Sequence, residues 1–254
     1  MKHENTIRYR IWIDIDEMEH LLHTQELSID GKNHHYLTHV IRRKKNEYIE
    51  CITNNGVCAR VQIKAQHRSS SILSLISHYS KTPPEYTIIL ALGASKQIRR
   101  SFILEKSVEL CIRELWIWQG EHSQVDSTIH SSWYEVLYNA ATQCGNPYIP
   151  TLRSFSSIKT MVAYAQEQNS KQLFFYEDPD ISVPTKRSQW EAHKQPLVLI
   201  VGCEGGFSHN EFSFLQEQNI TPHSLGSTCL RFETASLVAC SLAVMLNDSK
   251  GISM

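Results

Sequence analysis

Two textures of hydrophobicity divide the chain. Between residues 7 and 76 the apolar positions fall in short runs, Ile7 to Ile13, Tyr48 to Ile52, Gly56 to Ile63 and Ile72 to Ile76, cut by Asp30-Gly31 and Asn54-Asn55-Gly56. Such Asx-Gly pairs are turn signals, so this stretch reads as a small β-barrel or sandwich. Arg8 and Arg10 alternate with Ile7, Tyr9 and Ile11, which puts both arginines on one outward strand face. His34 to Arg43, HHYLTHVIRR, spaces Tyr36, Leu37, Val40 and Ile41 as one face of a short helix that runs into Arg42, Arg43, Lys44 and Lys45. That basic run is either a solvated helix end, favourably placed at its own dipole, or a contact for an anion.

Thr82-Pro83-Pro84-Glu85 breaks any regular element and sets a boundary near residue 80, giving expected domains 1–80 and 81–254. Beyond it, continuous apolar strands alternate with amphipathic helices. Strands are expected at Tyr86 to Leu92, Leu115 to Trp118, Leu173 to Tyr176, Leu197 to Val201 and His223 to Leu225. Helices are expected at about Ile98 to Cys111, Ser132 to Gln143, Met161 to Gln168, after Ser208, and Glu233 to Leu246. Strand–helix alternation of this kind builds an α/β domain with a mostly parallel sheet and helices on its faces.

Composition adds little to that picture but excludes several classes. The 254 residues carry 25 Lys and Arg against 26 Asp and Glu, so no global positive field marks a nucleic-acid partner, and any RNA surface must be local. Seven scattered cysteines without a CxxC pair point to reduced thiols. With no secretory leader and no long apolar span, a soluble, cytoplasmic protein without a membrane partner is expected. His35 and His39 stand four apart on one helical face, a metal-compatible spacing, but no HExxH and no third ligand accompany them, so no metal is expected.

The chemistry concentrates between Val198 and Leu246. Gly202-Cys203-Glu204-Gly205-Gly206 follows one buried-looking strand, Leu225-Gly226-Ser227-Thr228-Cys229-Leu230-Arg231 follows another, and each opens a helix. Bare glycine backbone lets a small molecule approach the main chain, and helix N-termini offer free N–H groups. Neither a GxGxxG fingerprint nor a phosphate loop ending in GK[ST] occurs, which removes the usual marks of NAD or ATP. Ser208 and Glu211 form a capping box for the next helix. Glu204 has two roles open to it, capping a backbone N–H or facing a substrate. Arg231 likewise either pairs locally with Glu233 or reaches phosphate.

GCEGG followed by LGSTCLRFETA resembles the GPEGG and LGxRILRxETA signatures of the ribosomal RNA small subunit methyltransferase E family, within the SPOUT superfamily. Lys106 to Cys111, KSVELC, is similar to its KATELG, Gln143 to Asn146 to its QSGR, and HHYLTHVIRR to its HHYLxxVLR, so the resemblance spans both expected domains. It implies an α/β fold with a C-terminal SPOUT-type domain tied in a trefoil knot and a small N-terminal PUA-like β-barrel that helps hold RNA. It implies S-adenosylmethionine against Gly202, Glu204, Gly205, Leu225, Gly226, Ser227, Thr228, Cys229 and Leu230, a homodimer, and methylation of uridine N3 in 16S ribosomal RNA of the small ribosomal subunit. Arg231 is then the catalytic cation, and Arg8, Arg10, Arg42, Lys96 and Arg100 are RNA contacts. A non-catalytic RNA-binding or ribosome-assembly factor on the same fold is the competing reading.

Three departures stand out. Thr228 and Asn146 replace arginines of the family pattern, and Cys203 replaces a proline. Losing two bidentate phosphate donors bears on RNA affinity or target choice rather than on cofactor binding, because the glycine turns are intact.

Overall fold

The computed structural model describes residues 9–178 and 187–248. The chain forms two compact units, Met1–Pro83 with Tyr138–Ile149, and Pro84–Leu137 with Pro150–Met254.

In the first unit, β1 (Arg10–Trp12), β2 (Glu26–Ile29), β3 (Tyr48–Ile52), β4 (Val57–Gln66) and β5 (Ser71–Ser80) make one sheet in the order β1-β3-β4-β5-β2. Strands β3, β4 and β5 pair antiparallel as a meander, β2 adds antiparallel to β5, and β1 runs parallel to β3. Two register shifts in the β4–β5 pair, at Arg60/Val61 and Ile63/Ala65, are bulges of the kind that bend long hairpins. Ile11, Ile13, Ile49, Val61, Ile63 and Leu73 fill the core.

Helix α1 (Ile15–Thr24) and strand β2 were not expected. The alternation Ile13-Asp14-Ile15-Asp16 imitates a strand, yet Asp14 accepts from Glu17 N at 2.7 Å and Glu17 accepts from Asp14 N at 2.9 Å. This capping box starts a helix that buries Met18 and Leu21. The helix expected from His34 begins earlier, as α2 (Gly31–His35), and continues as one π-turn over Tyr36–Val40.

The second unit holds six parallel strands, β6 (Ile88–Gly93), β7 (Glu114–Trp118), β8 (Thr151–Phe155), β9 (Lys171–Phe175), β10 (Leu197–Val201) and β11 (Pro222–His223). Their order is β11-β9-β10-β6-β7-β8. Helices α3 (Gln97–Glu109), α4 (Ser132–Cys144), α5 (Ile158–Glu167), α6 (His209–Glu217) and α7 (Phe232–Asn247) alternate with them, and the second half of α4 groups with the first unit. Every residue of β6 and β10 is buried, as expected for central parallel strands. From β6 the chain moves outward through β7 and β8, then returns to the other side of β6 with β9, β10 and β11. That reversal makes a crevice at the strand C-termini, where ligands of open α/β sheets bind.

Candidate functional site

At this edge the end of β10 turns tightly. Gly206 N donates to Cys203 O at 3.0 Å, and Gly206 takes φ 70°, a left-handed conformation that only glycine adopts without penalty. A Cβ on Gly202 would lie 3.0 Å from the Gly206 carbonyl carbon, so the turn closes on bare backbone. The neighbouring strand makes the same demand. A Cβ on Gly93, at the end of β6, would meet Cys203 N at 2.5 Å.

Three side chains tie the turn and its flanks to their surroundings. Glu204 accepts from Lys96 N at 2.9 Å at the entrance of α3, so one of its carboxylate oxygens takes the capping role. His122 Nδ1 donates to Gly205 O at 3.0 Å. Glu211, only 4% exposed, accepts from Ser208 N and from Glu121 N, each at 2.8 Å, so the capping box of α6 also fastens the loop after β7. Hydrogen bonds from Ser208 and Asn210 hold the Glu121 carboxyl below its ordinary range. Burial pushes the Cys203 thiol up.

Between this turn and the segment from Ser224 to Phe232 lies a cavity of about 570 Å³. It collects Gly202, Glu204, Gly205, Leu225, Gly226, Thr228, Cys229, Leu230 and Arg231, while Ser227 is exposed and does not line it. Sequence reasoning missed the third wall, Phe175, Tyr176 and Glu177 at the end of β9. The signal was an apolar strand ending in an acid, but nothing local says that β9 lies beside β10. Arg231 is the N-cap residue of α7, exposed, and among the described residues no carboxylate pairs with it.

Lys96 is exposed at the N-cap of α3. Arg100, one turn on, donates to Ser95 O at 3.3 Å and stacks 4.2 Å over the Trp133 ring, and burial lowers its pKa. Arg8 lies outside the described residues. Arg42 is exposed, whereas Arg10 is engaged: its Nε is 2.7 Å from Glu50, and Nη1 donates to Thr142 O and Gln143 O, each at 3.4 Å. Gly145 lies flat against that guanidinium at φ 74°, so the glycine of QCGN is required twice, for its backbone and for Arg10. Asn146 accepts from Tyr148 N at 3.0 Å and shapes the turn that follows. No group of three or more metal-ligating side chains occurs among the described residues, and no helix there is long and apolar enough to cross a membrane.

The family model described as "RNA methyltransferase domain" matches residues 82–244, well over half of the chain. The chain belongs to that family. Among curated RNA methyltransferases it is 26% identical over 230 residues to the ribosomal RNA small subunit methyltransferase E of Buchnera aphidicola subsp. Acyrthosiphon pisum, covering 87% of this chain and 89% of that one. The protein of the same name from Bacillus subtilis is 24% identical over 233 residues, covering 84% and 88%. The crystal structure of the Neisseria gonorrhoeae ribosomal RNA small subunit methyltransferase E bound to S-adenosyl methionine shares the fold, with a TM-score of 0.76 at 19% identity over 92% of this chain and 95% of that one. The mixed α/β architecture is thus shared with that structure, and the glycine-walled cavity falls inside the region matched by the family model.

Proposed function

We propose that this RNA methyltransferase binds S-adenosylmethionine in the cavity and methylates N3 of one uridine in 16S ribosomal RNA of the small ribosomal subunit. The observation that carries the reading is the pair of glycine turns, Gly202–Gly206 and Leu225–Leu230, closing one cavity at the reversal of the parallel sheet. The names of the relatives support the substrate, and the likeness to a structure bound to S-adenosyl methionine supports the cofactor.

The residues present fit such a group. A cavity of about 570 Å³ lies within the ordinary range for a ligand of this size, roughly 300–1,000 Å³. Its walls offer glycine backbone at Gly202, Gly205 and Gly226, with open space beside Gly226, and the carboxylates of Glu177 and Glu204 suit a ligand carrying ammonium and sulfonium charge. When bound, the cofactor supplies an electrophilic methyl group.

The protein's own share is positioning and charge. Uridine N3 is a weakly acidic imide, and it attacks only after losing its proton. Arg231, at the cavity wall and with no carboxylate partner among the described residues, stabilises the resulting anion. Holding base and methyl group in line accounts for much of the remaining acceleration. Arg42, Lys96 and Arg100 contact RNA, while Arg10 serves chiefly to tie β1 to Glu50 and the QCGN turn.

We further assign the N-terminal region, about residues 1–80, to a PUA-like RNA-holding barrel and residues 81–254 to a knotted SPOUT methyltransferase domain that dimerises, with the protein acting in the cytoplasm. The test is transfer of labelled methyl from S-adenosylmethionine to unmodified small subunits and to naked small-subunit RNA, with the modified nucleoside identified by mass. N3-methyluridine at one position is the expected result. Cofactor binding with no incorporation on either substrate would overturn the assigned target, and loss of both would favour the assembly-factor reading.

A further inference from the structure

The segment His35 to Lys45 gathers features that neither the core of the first unit nor the methyl-transfer cavity explains. Its π-turn, closed by Ile41 N donating to Tyr36 O at 2.9 Å, belongs to a rare class that collects at functional positions. Arg42 then adopts φ 52° at the helix end, a place where glycine or asparagine would be easier. Its neighbour Arg43 is already committed, 3.4 Å from Glu47 and 4.2 Å over the Tyr9 ring. Arg42 donates only to the His39 carbonyl, at 3.4 Å, among the described residues.

On the exposed side of the same turn His35 and His39 stack face to face, centroids 4.8 Å apart and planes 9° from parallel. The arrangement is fixed from below. Thr38 Oγ1 donates its only proton to His34 O at 2.7 Å, so its 2.7 Å contact with His39 Nδ1 must run from the imidazole N–H to the hydroxyl. Parallel rings confine their in-plane lone pairs to two separate, nearly parallel planes, so these do not converge on one point, which suits a metal badly. What the stack does offer is an exposed, pre-ordered π-face with Arg42 beside it, its Nε 3.4 Å from His39 O, and the exposed cations Lys44 and Lys45 following close in sequence. A ligand complementary to it must bring a flat aromatic face and adjoining negative charge.

We propose that the His35–His39 stack is a nucleobase platform for an unpaired RNA nucleotide, with Arg42 taking the adjoining phosphate. This rests on the RNA substrate proposed above and adds a specific contact to it. Imidazole and guanidinium planes both serve as stacking surfaces for bases of single-stranded or looped RNA, whose faces are free. Because the base stacks by its face, the platform tolerates different bases and fixes where the strand lies rather than which uridine is chosen.

The test is fluorescence anisotropy of the full-length protein with a labelled unstructured RNA of about 12 nucleotides, and with small-subunit ribosomal RNA, read beside S-adenosylhomocysteine affinity as the control for folding. His35→Ala and His39→Ala should each weaken RNA binding about tenfold, while His39→Phe, which keeps the face, should stay within about twofold of wild type. Arg42→Gln should reduce the slope of log affinity against log salt by about one phosphate contact. Cofactor affinity should be unchanged in all four. Wild-type RNA affinity in both alanine variants would overturn the platform while leaving the methyltransferase reading intact. No binding of either RNA by the wild-type protein would overturn the platform together with the proposed substrate.

Discussion

Replacing Gly93 by alanine adds one methyl group at the end of β6, where it would point into the backbone of the turn after β10. That Cβ would stand 2.5 Å from Cys203 N and 2.9 Å from both Cys203 Cα and Cys203 Cβ. Ordinary contact begins near 3.4 Å, so the Cys203 segment would have to retreat by about 0.9 Å at its nearest atom. Neither side can yield cheaply: β6 and β10 are paired through five residues and buried throughout, and the obstructing atoms are main chain and the Cβ fixed to it rather than the tip of a side chain. Overpacking of this kind costs about 1–3 kcal/mol, which for a unit of this size lowers Tm by about 2–12 °C.

The functional loss should exceed the stability loss, because the displaced turn forms a wall of the cavity. Misplacement by about 1 Å can cost roughly 100-fold in rate, so methyl transfer should fall by about that factor, with S-adenosylmethionine affinity falling as well. Thermal unfolding, calorimetric binding and single-turnover transfer together make the assay. Gly31→Ala is the control. Gly31 has φ 47° but nothing within 4 Å of its would-be Cβ, so it should lose about 1 kcal/mol and leave cofactor affinity unchanged. A Gly93→Ala protein with wild-type Tm and affinity would show that the turn floats freely, and would refute the claim that β6 sets its position.

Arg231→Ala should abolish methyl transfer while S-adenosylmethionine affinity stays within a few-fold; unchanged turnover would remove Arg231 from the mechanism. His122→Ala should weaken cofactor binding about fivefold, the worth of one hydrogen bond to the Gly205 carbonyl, as read by calorimetry. Glu211→Ala removes a helix cap and strands Glu121 N, so guanidinium unfolding should report a loss of about 2–3 kcal/mol. For the thiols, burial raises the pKa of Cys51 and Cys240, which leaves less thiolate at any working pH and makes both slower to alkylate than ordinary cysteine. Iodoacetamide at pH 8 should therefore label exposed Cys144 and Cys229 first, and S-adenosylhomocysteine should protect Cys229 but not Cys144.

What the sequence made legible was whatever depends on short-range demands. The parallel sheet followed from long apolar strands alternating with helices, and β10 falls where Leu197 to Val201 indicated. The Ser208–Glu211 box caps α6 because both partners sit within one turn of each other. Helix α1 carried the same kind of signal in Asp14 and Glu17, but the strand-like alternation around it masked the box. Strand β8 escaped because TLRSF has two apolar positions and lies at the sheet edge, where burial imposes little pattern.

The site itself separates local from distant information more sharply. Glycines 202, 205, 206 and 226 announce a ligand turn by clustering, and every one of them lines the cavity. Gly93 looks like any glycine at the end of a strand, because its importance arises from register: Leu92 pairs with Val201, which sets the next residue, Gly93, against the start of the turn. Glu177 is hidden for the same reason, since only the adjacency of β9 and β10 brings it to the cavity. Residues whose role is fixed by strand order rather than by neighbours along the chain are therefore the ones a single sequence conceals. In this protein they form one wall of the cavity and the floor beneath its principal turn, so substitutions there should disturb cofactor binding as strongly as those in the glycine motifs that first drew attention to the site.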